Sequence, residues 1–154
     1  TSDGFDQCYN AQAAVSEQML IVGALANAHG NDTRELLPVL DAIPPVLGKV
    51  GAAAADTGYF SQGNIQGCRQ REVEPYIAVG KQAHNQWLDE QLARQEPEPP
   101  GEQASPSQQM SHKLKTEIGR AIYRLRKMTV VRAFFTAQAE GLPQPMPSPA
   151  AHRG

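Results

Sequence analysis

Disulfide-stapled, metal-binding, membrane-spanning and base-stacking proteins all rely on residues that this chain has in short supply. Cysteine occurs twice, as Cys8 and Cys68, and the four histidines are scattered, so there is neither a disulfide framework nor Cys/His metal spacing. A reducing cytoplasm is the expected location. No apolar run approaches the roughly 20 residues of a membrane helix, and nothing at the amino end resembles a signal peptide, so no membrane partner is expected. Aromatic residues make up 6% of the chain, and around Trp87 and Phe134 there is no pattern of aromatics of the kind that stacks nucleobases. Internal repeats are lacking, and so is an initiator methionine. The sequence opens at TSDGFDQCYN, close to an expected strand, and reads as a fragment.

What is present is length enough for one domain with a real core, 154 residues, at a net charge of −2. That near-neutral balance hides an uneven distribution. Seven of the 14 Lys and Arg residues fall between Lys113 and Arg132, where Glu117 is the only acid, so a basic stripe runs through this segment.

The best-placed carboxylate is Asp56. Val50 and Ala52 to Ala55, interrupted only by Gly51, form a short apolar run that stops abruptly at Asp56, Thr57 and Gly58. Such a run fits a strand buried on both faces, although a buried helix segment has the same pattern. As a strand it sets Asp56 at its carboxyl end, where open α/β sheets keep their ligand crevices. The competing reading is that Asp56 merely caps the following turn.

Around this stretch, alternation of Tyr9, Ala11, Ala13 and Val15 with Asn10 and Gln12 predicts a half-buried strand, and Met19 to Ala26 a second strand in a hairpin with it. A helix is expected from about Thr33 to Ile43, kinked at Pro38 and ended by Pro44 and Pro45. Ser61 should cap a helix through Gln70, and Glu74 to Val79 should form another strand. The sum is an α/β mixed sheet covered by helices. Gln82 to Gln95 reads as a polar helix, and Glu96 to Gln109, with four prolines, as a linker. Met110 to about Glu140 reads as one long amphipathic helix. Its stripe is Leu114, Ile118, Ala121, Ile122, Leu125 and Met128, with Lys113, Arg120, Arg124 and Lys127 on another face. The resulting division is a core over 1–94, a linker over 95–109, a basic helix over 110–140 and a disordered tail over 141–154.

Several stretches, in order, carry a resemblance. GFDQCYNAQAAV at Gly4 to Val15, NDTRELLPVLDAI, AAADTGYFSQGNI at Ala53 to Ile65, EPYIAVGKQ at Glu74 to Gln82 and KLKTEIGRAIYRLRKMTV at Lys113 to Val130 resemble the catalytic core of DDE-type insertion-sequence transposases. The resemblance implies a ribonuclease H-like fold, here incomplete, on which three acidic side chains hold two Mg²⁺ ions for DNA strand cleavage and transfer. Hard cations prefer oxygen ligands, and two of them about 4 Å apart can stabilise both the attacking and the leaving oxygen. Asp56 corresponds to the second acid, catalytic and metal-binding. The first is expected upstream of the YNAQ stretch, in a segment this chain does not contain. The third is expected where Val131 stands, since the family continues from RKMTV with a glutamate. Asp41, Glu35 and Glu72 replace neither by pattern, and Glu117 and Glu140 lie several helical turns from Val131. The implied partner is double-stranded DNA at mobile-element ends, contacted by Arg120, Arg124, Arg126, Lys127 and Arg132. The bland alternative for those cations is a solvated helix face.

The triplet Asp56-Thr57-Gly58 also resembles that of aspartic proteases, but those enzymes need two such aspartates sharing a proton, and this chain has one triplet. Two readings of function stay open. One is a transposase fragment, inactive alone; the other is a non-enzymatic DNA-binding or self-associating domain derived from a mobile element.

Overall fold

The computed structural model of the chain describes residues 9–80, 97–128 and 131–135. Two strands, β1 (Asn10–Val15) and β2 (Ile21–Asn27), form the expected antiparallel hairpin, with Asn10 opposite Asn27 and Met19 in the left-handed region at φ 66° in the turn. A strand β3 (Val50–Ala55) runs parallel to β4 (Glu74–Ile77), with helix α2 (Gln62–Gln70) crossing between them. The sheet is mixed and five-stranded, in the order β2-β1-β5-β3-β4. Its central member, β5 (Val131–Phe135), is parallel to β1 and antiparallel to β3.

Alanine dominates the middle of this sheet for a packing reason. Ala53, Ala54 and Ala55 are fully enclosed, and such short side chains let the covering helices approach closely. Helix α1 (Leu36–Asp41) contributes Leu36, Val39 and Leu40, α2 contributes Ile65 and Cys68, and α3 (Pro106–Lys115) contributes Met110 and Leu114. Contact between α1 and α2 is tight enough that a Cβ on Gly67 would come within 2.3 Å of Leu37.

Several expectations need correction. In β1 the polar members turn inward: Gln12 is buried at 4% exposure, whereas Tyr9 and Ala11 are exposed. A bulge at Ala14 and Val15 then shifts the register. Exposing alanine costs little, and the amide of Gln12 finds partners inside, so alternation pointed to the wrong face. Helix α1 is shorter than expected, because Asn31 caps a separate 3-10 turn at Asp32–Arg34. Pro38 lies in the first turn of α1, where its missing N–H is not needed, and so it does not act as a helix breaker.

The expected single helix over 110–140 is instead two helices and a strand. Ser105 and Gln108 form a capping box with Pro106 at the first helical position, so α3 begins inside the stretch read as linker. Thr116 ends α3 and, with its hydroxyl accepting from the Gly119 amide, starts α4 (Glu117–Arg124). The corner has no room for a side chain at Gly119, whose Cβ would lie 1.9 Å from the Lys113 carbonyl oxygen. A 3-10 turn at Leu125–Met128 follows, and then β5. Leu125, expected on the apolar stripe, is 45% exposed because the helix has ended before it. The polar helix expected at Gln82 to Gln95 lies outside the described residues, as does the tail over 141–154.

Candidate active site around Asp56

Because β5 is parallel to β1 and antiparallel to β3, the start of β1 and the end of β3 point to the same end of the sheet's strands. Asp56 follows the last residue of β3 at that end, as its strand-end position required. Its Oδ1 accepts the Thr57 amide at 2.7 Å and caps a 3-10 turn at Thr57–Tyr59, so the capping role weighed for it is real. The carboxylate nevertheless stays open, with its side chain 57% exposed.

A polar network, buried at Tyr59 and Gln12 and reaching the surface at Thr33, fixes the turn that follows. The Tyr59 hydroxyl donates to Gln12 Oε1. Gln12 Nε2 and Asn10 Nδ2 donate to Asp32 Oδ1 at 2.9 and 2.8 Å. The Thr33 hydroxyl donates to the Gly58 carbonyl at 2.9 Å, and Asn64 Nδ2 to the carbonyls of Thr33 and Tyr59 at 2.7 Å each. Burial, with the charge of Asp32 next, pushes the Tyr59 phenol well above its ordinary range, so it remains a donor. The sequence pattern marks the YNAQ stretch as sheet structure and gives no role to Gln12 or Asp32. A polar residue inside an alternating strand was the available signal.

The second oxygen of Asp56, Oδ2, lies 3.4 Å from a guanidinium nitrogen of Arg126. Arg126 comes from the 3-10 turn after α4 and lies over the Tyr123 ring, 4.8 Å from its centroid. Burial raises the Tyr123 hydroxyl pKa, Arg126 lowers it and Asp56 raises it. Val131 is fully buried in β5, opposite Ala55 and Ala14. The position where the third acid was expected is therefore adjacent to the Asp56 end of β3, in apolar surroundings.

Of the other cations, Arg124 is exposed and Arg120 half-buried on α4, while the side chains of Lys127 and Arg132 lie outside the described residues. Arg132 belongs to the central strand and pairs with Ala54 and Val15, so it is not on a helix. Lys113 does not face outward as expected. It pairs with Glu74, donates to the Pro75 carbonyl at 2.8 Å and sits over the Tyr76 ring. The other acids are engaged elsewhere. Glu35, 1% exposed, accepts from Asn27 and contacts His29 Nδ1 at 2.8 Å, Asp41 pairs with Arg71, and Glu72 with Lys49.

Whether these residues fit a divalent ion can be tested on the donors. Among the described residues no group of three or more His, Cys, Asp or Glu side chains can hold a metal. One oxygen of Asp56 serves the Thr57 amide and the other faces a guanidinium, so a cation would meet another cation. The donor set does not fit a bound Mg²⁺. Among the described residues no helix is long and apolar enough to cross a membrane.

Comparison with known proteins agrees with the sequence pattern. No solved structure matches. A protein of Burkholderia cepacia named as a transposase for insertion sequence element IS402 is 36% identical over 75 residues, which cover 44% of this chain and 36% of that protein. The chain thus spans little more than a third of the length of the curated relative it matches. A family model described as Transposase DDE domain matches residues 3–130, which include Asp56 and its supporting network. The chain belongs to the Transposase DDE domain family.

Proposed function

We propose that this chain is the part of an insertion-sequence transposase core that carries its second acid, Asp56, and that it serves DNA strand cleavage and transfer only when completed by acids from another segment. The observation that carries the reading is the open carboxylate of Asp56 at the end of a central strand, on a turn braced by Gln12, Asp32, Thr33 and Asn64. On this reading the mixed sheet is of the ribonuclease H-like kind, with β5 as its central strand, and Mg²⁺ is the ion of the completed site. The division into a core over 1–94, a segment over 95–109 and the basic segment beyond it belongs to the same proposal. Mobile-element DNA is the partner, met through phosphates at Arg120 and Arg124, with Lys127 and Arg132 beside them in sequence.

Two assays test the proposal. Duplex binding followed by fluorescence anisotropy should weaken steeply with salt, and replacing Arg124 by Ala should lower the slope of log affinity against log salt by about one. Supercoiled plasmid with Mg²⁺ should stay intact when this chain is the only protein added. Nicking that disappears in Asp56→Asn would show that the chain completes its own site and would overturn the proposal. The engagement of Asp56 by Arg126 favours the second reading, a DNA-binding domain without catalysis, and that reading predicts no nicking even with a complementing segment.

A further inference from the structure

The same end of the sheet holds an acid that the family resemblance gives to a metal and a cation from this chain's basic stripe. We infer that Arg126 is a built-in counter-ion of Asp56, standing in for a divalent cation and opposing its binding. The inference rests on the reading of Asp56 as a metal-directed carboxylate and says what occupies that carboxylate in this chain.

Three observations carry it. The guanidinium nitrogen is 3.4 Å from Oδ2, the oxygen of Asp56 that the Thr57 amide leaves open. Arg126 is the more enclosed partner, 20% exposed against 57% for Asp56, so the ion pair is not two long side chains meeting in solvent. Its position is fixed by the Tyr123 ring beneath it and by the 3-10 turn that bends the chain back from α4. Exposed ion pairs are weak largely because ordering both side chains costs entropy. Here the packing on Tyr123 has already ordered the arginine, and a planar fork loses little more on meeting a carboxylate. A divalent ion approaching Oδ2 must then displace the guanidinium or share one carboxylate with it. Either way the like charges repel, and the cation that arrives second binds more weakly.

The consequence reaches DNA as well as metal. While Arg126 faces Asp56 its charge is offset by that carboxylate, so Arg126, unlike Arg124, adds little to phosphate contact. The sequence stripe overstates the cationic surface by at least this residue.

The test uses the full chain and Mn²⁺, a paramagnetic probe whose binding is read by electron paramagnetic resonance of the free ion. Arg126→Gln should bind Mn²⁺ about tenfold more tightly than the unaltered chain, Arg126→Lys should stay weak, and adding Asp56→Asn to Arg126→Gln should remove the gain. If Arg126→Gln binds no more tightly while Asp56→Asn weakens the unaltered chain, Arg126 is not a competitor and the inference falls, with the reading of Asp56 intact. If Asp56→Asn changes Mn²⁺ binding in neither background, Asp56 is not a metal-directed group and the reading beneath the inference falls. A second measurement does not depend on Arg126 variants folding. The NMR signal of the Arg126 Nε–Hε group should move in Asp56→Asn, and an unmoved signal would show that the pair is absent in solution.

Discussion

Glu35 and Asp56 both act electrostatically on the buried phenol of Tyr59, yet the fold treats them in opposite ways. Glu35 is sealed at 1% exposure, with Asn27 and His29 on its two oxygens. Asp56 sits 57% exposed beyond the last residue of its strand, one oxygen held by a backbone amide and the other facing Arg126. A carboxylate sealed from solvent with a side-chain partner on each oxygen is structural, because taking it out leaves those partners unmatched. One held on a braced turn at the surface, facing only a counter-ion, costs the fold little when it is changed. By this criterion a buried acid of the same family segment is no candidate for chemistry, although both look alike as letters in the sequence.

The sharpest way to break the comparison is to move a charge into the sealed kind of place. Val131→Glu writes an acid where the resemblance expects one, but into a fully buried position between Ala14 and Ala55. It should cost about 3 kcal/mol or more and abolish the cooperative melt, and a protein that keeps its melt would show that β5 is not the core strand. Next comes Glu35→Ala. Losing an acceptor for Asn27 and His29 should cost about 2 kcal/mol in urea unfolding. Tyr59→Phe removes the donor to buried Gln12 and should cost about 1 kcal/mol by the same measurement, without moving the Cα trace of the Asp56 turn.

The smallest effect is one of pH. Arg71, through its hydrogen bonds, holds the exposed Asp41 carboxyl below its ordinary value. A depressed carboxylate stabilises the fold above its unfolded pKa, and that contribution is lost as pH falls through its folded pKa. Asp41→Asn should therefore narrow the gap in stability between neutral and acid pH slightly, and solvent screening keeps the change small.

The two halves of the chain differed in how far they could be read. Strands β1 to β4 are bounded by strong punctuation, such as the Pro44-Pro45 stop and the Ser61 cap, and each pairs with a neighbour close in sequence or through one crossing helix. The segment after Ser105 follows other rules. Thr116 breaks a pattern that is helical by periodicity, and β5 becomes a strand because β3 and β1 offer it hydrogen-bonding edges far away in sequence. Tertiary pairing of that kind overrides local preference. At the site the same division holds. Asp56 was legible from the apolar run that ends on it. Gln12 and Asp32 were not, because their worth depends on meeting Tyr59 in space, and Arg126 read as an outward cation until the turn at Leu125–Met128 brought it back to Asp56.

Thermal unfolding of Glu35→Ala and Asp56→Asn, measured side by side against the unaltered chain, tests the central distinction most directly. For a domain of this size a change of 1 kcal/mol moves the midpoint by roughly 2–4 °C. The account predicts that Glu35→Ala melts about 5 °C lower while Asp56→Asn stays within about 1 °C. Equal losses in the two variants would show that Asp56 is as much a structural group as Glu35, and would contradict its assignment as the open carboxylate of the site.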